Sequence, residues 1–185
     1  MEEDKYIRGC HLMTIDGFYI VGIDYDKFRL RFLVNELLMI QKLYKLSNIY
    51  IIESSKNHYH AVCFDKLFLK EYRELLQNTH CDSMFRRDFS LMFGEPKVLR
   101  LSSKRKNDRP KLIKTLKSNY RIHQQSLPHK LLYNFEGIIK FRKSKLDDNN
   151  KIAPIVFYKS RAIPLKKQIE KKRTELKLLR KKYER

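Results

Sequence analysis

The chain of 185 residues has no tryptophan, five glycines and three cysteines. With so little glycine, neither GxGxxG nor GxxxxGK[ST] occurs, which excludes the glycine-loop nucleotide folds in their usual form. Cys10, Cys63 and Cys81 are an odd count without a CxxC pair. That argues against a disulfide framework or a cysteine-rich zinc site, and for a reducing compartment: the cytoplasm, a host cell's included. No apolar run approaches ~18 residues, so a membrane partner is not expected. The opening MEEDKYIRG is acidic rather than basic-then-apolar, which reads against a secretion signal.

Positive charge and apolar bulk are what the chain has. At 42% hydrophobic residues, with 11 Phe and 11 Tyr, it has enough material for a sizeable core. Its net charge of +20 is unevenly spread. Residues 1–95 hold 13 Lys+Arg against 14 Asp+Glu, a net of −1, so residues 96–185 carry a net of +21. An asymmetry of that size points to a polyanion lying against one half. Nucleic acid is the default, since neutralising phosphates releases condensed counterions.

Along the chain, FYIVGIDYD (18–26) is an apolar run ending in two aspartates and reads as a buried strand. Apolar spacing then predicts a long amphipathic helix over 27–46. Strands follow at 48–53 and 58–64 around the polar turn 54–57, giving a hairpin. A helix is predicted from Asp65 to about Gln77, a short one within 80–94, and a fourth strand at 97–104. The order β-α-β-β-α-β is that of an RRM-like or ferredoxin-like α+β core, over residues 1–105. Residues 106–185 read as a basic, mainly helical extension that binds nucleic acid. Within it, 104–114 is a basic loop, 110–146 mostly helical, and 152–164 a short strand. The basic helix 165–185 has an apolar stripe suited to docking or self-association. No internal repeat occurs.

Two clusters carry the chemistry. Asp24 and Asp26 sit one residue apart on a strand, so both side chains take one face, with Cα atoms about 6.6 Å apart. Two such carboxylates repel unless a cation lies between them, and hard oxygen ligands suit Mg2+ or Mn2+ held with substrate phosphates. Asp26 alone also fits a helix N-cap at Lys27. The second cluster is Ser54-Ser55-Lys56-Asn57-His58-Tyr59-His60, in which His58 and His60 share a face and Lys56 occupies a turn that can meet a phosphate.

Strand-DxD, long helix, strand, Ser-x-x-x-x-His hairpin, helix and strand resembles the archaeo-eukaryotic primase superfamily, which includes primase-polymerases of viruses and plasmids. YIVGIDYD is similar to its first motif and Ser55 to His60 to its second, over residues 15–105. The resemblance implies that Asp24 and Asp26 bind catalytic Mg2+ or Mn2+, and that Ser55 and His60 hold the phosphates of a nucleoside triphosphate. It also implies a third acidic ligand, with Asp88 and Asp82 available, and basic residues near the nucleotide, with Lys56, Arg100 and Lys104 in place. His58 stands where the family usually has glycine. The implied activity is nucleotidyl transfer on a nucleic-acid template, DNA being the first choice, single-stranded or template-primer. Such an activity belongs to replication of a virus or mobile element, with a helicase as a further partner. Lys104, Arg105, Lys106, Arg109, Lys111 and Lys114 would hold the nucleic-acid backbone. Tyr120, Tyr133, Phe135, Phe141, Phe157 and Tyr158 could stack on bases or fill a core.

Two other readings stay open. HYH resembles the His-hydrophobic-His motif of rolling-circle initiators, with Tyr72, Tyr120 or Tyr133 as nucleophile. A non-catalytic nucleic-acid-binding protein on a primase-like fold is the third.

Overall fold

A computed structural model describes residues 6–86, 97–101, 110–140 and 158–161. The fold is α+β, with two antiparallel sheets. β1 (Tyr6–His11) is followed by β2 (Tyr19–Asp26), α1 (Leu30–Leu43), β3 (Ile49–Ser55), β4 (His58–Leu67), α2 (Leu69–Gln77) and the one-turn α3 (Ser83–Arg86). β5 (Val98–Arg100), β6 (Lys111–Leu116), α4 (Leu127–Phe135) and β7 (Tyr158–Arg161) complete the described elements. The main sheet runs β2-β4-β3-β6 and the second runs β5-β1-β7.

The strand-helix-strand-strand-helix succession read from the sequence corresponds to β2, α1, β3, β4 and α2. The remainder is corrected. The strand expected at 97–104 is described as β5, but it pairs with β1 in the second sheet. Its expected place beside the main sheet is not filled by it; the outer position next to β3 belongs to β6. Residues 111–116, expected within a basic loop and mainly helical extension, are that strand. Helix 165–185 lies outside the described residues, as does most of 80–94 beyond α3.

Strand alternation sorts the main sheet into two faces. Val21, Ile23 and Tyr25 face α1 and α2: the Tyr25 hydroxyl donates to Glu36 Oε1 at 2.9 Å, and Tyr72 of α2 stacks on Tyr19. Leu33, Leu37 and Ile40 of α1 and Leu75 and Leu76 of α2 are among the buried residues of these helices. The α2 entrance is fixed by Glu71, whose carboxylate accepts the Phe68 N–H at 2.9 Å, satisfying a donor that the helix leaves orphaned.

The opposite face carries Gly22, Asp24 and Asp26. It packs against the second sheet and, through Phe64, against Tyr133 of α4 at 5.5 Å between rings. The sheets approach so closely at Gly22 that a Cβ there would lie 2.5 Å from both Leu12 methyl carbons. Gly22→Ala is therefore expected to cost about 1–3 kcal/mol by overpacking, read as a lowered thermal midpoint. An unchanged midpoint would show that the sheets separate freely.

The segment before α4 is tied to the same core. Asp65 is 1% exposed. Its carboxylate accepts the Ser47 N–H at 2.6 Å, the Ser47 hydroxyl at 2.6 Å and Gln125 Nε2–H at 3.1 Å. Backbone bonds from Lys66 to Gln124 and from Ser126 to Phe64 continue the strand pairing there. With both oxygens accepting hydrogen bonds, the buried carboxylate becomes a three-way joint between β4, the α1–β3 turn and the approach to α4.

Candidate functional site

The site forms where β2 and the β3–β4 hairpin end together. Lys56 and Asn57 make the turn, with Asn57 in the left-handed region at φ 62°. Lys27 leaves β2 at φ 55°, and the Phe28 N–H donates to the Asn57 carbonyl at 3.2 Å. The two chain ends are thereby clamped side by side. Register then decides what meets what: Asp24 lies opposite His60 and Asp26 opposite His58. Directly opposed residues share a face, so all four side chains stand together on the face away from α1.

Asp26 and His58 are hydrogen-bonded, with Nδ1 2.5 Å from Oδ1. His60 Nε2 is 3.7 Å from Asp24 Oδ1, a longer contact. The His60 side chain is 5% exposed and that of Asp24 32% exposed. Burial pushes His60 down to about 3, assisted by the Arg100 charge, so the ring is neutral at neutral pH and the contact is no ion pair. Asp24 moves the other way, to about 6: burial first, then the charges of Asp26 and Asp82, opposed by His58 and Arg100. Burial is the larger cause of this shift, and the two neighbouring carboxylates add to it.

Asp82 arrives from the segment after α2. Its N–H donates to the Asp24 carbonyl at 2.8 Å, on the outer edge of β2. Its carboxylate caps α3 by accepting the Phe85 N–H at 3.0 Å. From the second sheet, Arg100 donates through Nη2 to the Ser54 carbonyl, which anchors β5 to the end of β3. Ser55 sits at a β-bulge opposite His58, and Lys56 is exposed in the turn.

The fold thus brings together Asp24, Asp26, His60 and Arg100, with Ser55 and Lys56 on the adjoining hairpin. Asp82 and His58 enlarge the group. Asp82 was legible only as one of two spare acids, because a helix cap and a ligand look alike in sequence. Asp88, Lys104, Arg105, Lys106 and Arg109 lie outside the described residues. Lys111 pairs with Glu53 at 3.1 Å, cross-strand from it, and Lys114 is exposed on the same edge strand.

Among the described residues, no three His, Cys, Asp or Glu side chains converge closely enough to hold a metal ion. Asp24 and Asp26 supply two carboxylates on one face, and a hard cation there would need phosphate oxygens and water to complete its ligands, the usual manner for Mg2+. An all-protein cage would not fit. The tyrosines also separate: Tyr72 and Tyr133 are fully buried, with the Tyr72 hydroxyl donating to the Gly22 carbonyl at 2.7 Å, whereas Tyr120 is 37% exposed and Phe135 81% exposed. Tyr133 is thus a core residue rather than a base-stacking platform. Neither it nor Tyr72 is placed to attack DNA. Phe141 and Phe157 fall outside the described residues, and Tyr158 begins β7.

No known protein family, curated protein or solved structure matches this chain.

Proposed function

We propose that the chain is a metal-dependent nucleotidyltransferase that extends a nucleic-acid strand on a template, built on an RRM-like core of primase type. The single observation that carries this is the cross-strand quartet in which Asp24 and Asp26 stand beside His60 and His58, with Arg100 in electrostatic reach. The placement of β4 between β2 and β3, with α1 as the crossover, supports the RRM-like reading.

In this reading Asp24 and Asp26 hold Mg2+ or Mn2+ together with the phosphates of a nucleoside triphosphate. The bound cations would supply activation of the attacking 3′-oxygen and charge neutralisation of the leaving pyrophosphate. The chain's own residues position the substrate. His60, kept neutral by burial, presents a hydrogen-bond donor without adding a cation that would compete with the metal. Arg100, braced on the Ser54 carbonyl, offers its charge to the phosphates, and Ser55 and Lys56 line the hairpin beside them. No nucleophilic side chain is required, because phosphoryl transfer proceeds by positioning and electrostatics. The excess of Lys and Arg beyond residue 95 would hold the nucleic-acid backbone, DNA being the preferred partner.

The test is extension of a labelled primer on a single-stranded DNA template with nucleoside triphosphates and Mn2+. Incorporation by the full chain is expected, with its loss in Asp24→Ala while DNA affinity, set by the basic half, persists or rises. No incorporation with either ribo- or deoxynucleotides sinks the enzymatic reading and leaves a binding protein. A covalent tyrosyl–DNA adduct would replace it with the initiator reading.

A further inference from the structure

His58 is the member of the quartet without a role in the proposed reaction, and its geometry is the tightest there. Register places it directly across from Asp26, and its Nδ1 lies 2.5 Å from Asp26 Oδ1. Asp26 is the last residue of β2, with a side chain 49% exposed. A carboxylate at a strand tip, half in water, is otherwise a free rotor about its terminal torsion. Asp24, two residues back along β2, is the more buried of the two, at 32% side-chain exposure; Asp26 has this one strong partner among the described side-chain bonds. The bond engages one carboxylate oxygen and leaves the second available. His58 is itself fixed: it opens β4 immediately after the left-handed Asn57, and its carbonyl accepts the Ser54 hydroxyl at 3.4 Å.

We propose that His58 is a positioning residue: by donating Nδ1–H to one oxygen of Asp26, it aims the other oxygen at a divalent cation shared with Asp24. The inference rests on the reading of Asp24 and Asp26 as metal ligands given above. It assigns a purpose to an imidazole at the head of the hairpin and to a bond that needs no contact with substrate. Removing a group that orients a ligating side chain typically costs about 10–100-fold in metal affinity.

Mn2+ binding to the full chain without nucleotide tests this, with free Mn2+ followed by its electron paramagnetic resonance signal and folding checked by far-ultraviolet circular dichroism. His58→Ala should weaken Mn2+ binding about 10–100-fold. His58→Asn, whose Nδ2–H can occupy the position of Nδ1–H, should recover most of the loss. His58→Gln, which places its amide where Nε2 was, should not. Folded His58→Ala protein that binds Mn2+ as the native chain does would overturn the proposal, as would rescue by Gln and not by Asn, which would make His58 a ligand through Nε2. If the native chain binds Mn2+ neither alone nor as its nucleoside triphosphate complex, the metal reading of the site fails first, and the role of His58 falls with it. Should His58→Ala not fold, the comparison of native, Asn and Gln decides the matter alone.

Discussion

Replacing Asp24 with Asn is expected to stabilise the fold at pH 8 by about 1–2 kcal/mol in metal-free buffer while abolishing Mn2+-dependent nucleotide incorporation. The stabilisation comes from removing a carboxylate that is ionised against its surroundings. Its pKa stands at about 6 because burial and the charges of Asp26 and Asp82 disfavour the anion. Measured from an ordinary aspartate, that elevation corresponds to roughly 3 kcal/mol. The side chain is 32% exposed, so solvent screening reduces the expected gain to about 1–2 kcal/mol. The sign depends on pH. Below about pH 4, both folded and unfolded forms of the native chain carry the neutral acid, and the variant has no advantage. Between about 4 and 6 the unfolded chain loses its proton first, so the native protein falls progressively behind. Above about 6 the full difference stands. Urea midpoints of the two proteins at pH 3.5, 5 and 8 would trace this curve. A variant less stable than the native chain at pH 8, or a gap independent of pH, would show that Asp24 is a structural residue rather than an acid held under strain for a cation.

The largest loss of stability is expected from Asp65→Ala, about 3–5 kcal/mol. This carboxylate is the common acceptor for the Ser47 backbone and hydroxyl and for Gln125. Its removal strands the Ser47 N–H and hydroxyl in a buried place where water does not readily replace it, at about 1–3 kcal/mol for each stranded donor, while Gln125 Nε2 keeps its 2.6 Å bond to the Ser47 hydroxyl oxygen. Because Ser47 and Gln125 come from separate stretches of chain, the substitution should also loosen the approach to α4. Amide exchange at Lys66 and Ser126, whose N–H groups bridge these stretches, should accelerate along with the drop in urea midpoint. A loss below about 1 kcal/mol would mean that the joint is easily replaced by solvent. The proposed metal site is remote in register from Asp65, so the variant should still bind Mn2+ under conditions where it remains folded.

What could be read from the sequence follows from how each element meets solvent. β2 is a nearly unbroken apolar run because both of its faces are covered, and α1 shows a helical period because only one of its faces is. The hairpin of β3 and β4 announces itself by a polar turn between apolar strands. From these alone, period-two spacing put Asp24 with Asp26 and His58 with His60 on common faces, and the register joins the two pairs. β6 was not legible. In KLIKTL the lysines fall at positions that a sheet edge leaves in water, and they read as a basic loop or helix. β1, YIRGCH, is short and carries Arg8 and Gly9 within it, so no periodicity marks it. The partner of β5 was not legible for a different reason: a strand's neighbour is a fact about topology, and residue order alone favours the nearer sheet. Asp82 was obscured by its cap, since the preference for Asp at a helix start is satisfied without any reference to Asp24.

The middle position of β1 has a consequence for synthesis. Gly9 pairs with Arg100 on one side and Tyr158 on the other. At about 5–20 residues per second on the ribosome, the second of those partners emerges roughly 8–30 s after the first strand has left the tunnel. Throughout that interval one hydrogen-bonding edge of β1 is open to any passing chain, and the pairing that closes it reaches from Gly9 to Tyr158. Maturation of this fold is accordingly a late event that waits on β7, and truncation ahead of Tyr158 would remove the described partner of that edge and leave the product prone to aggregate.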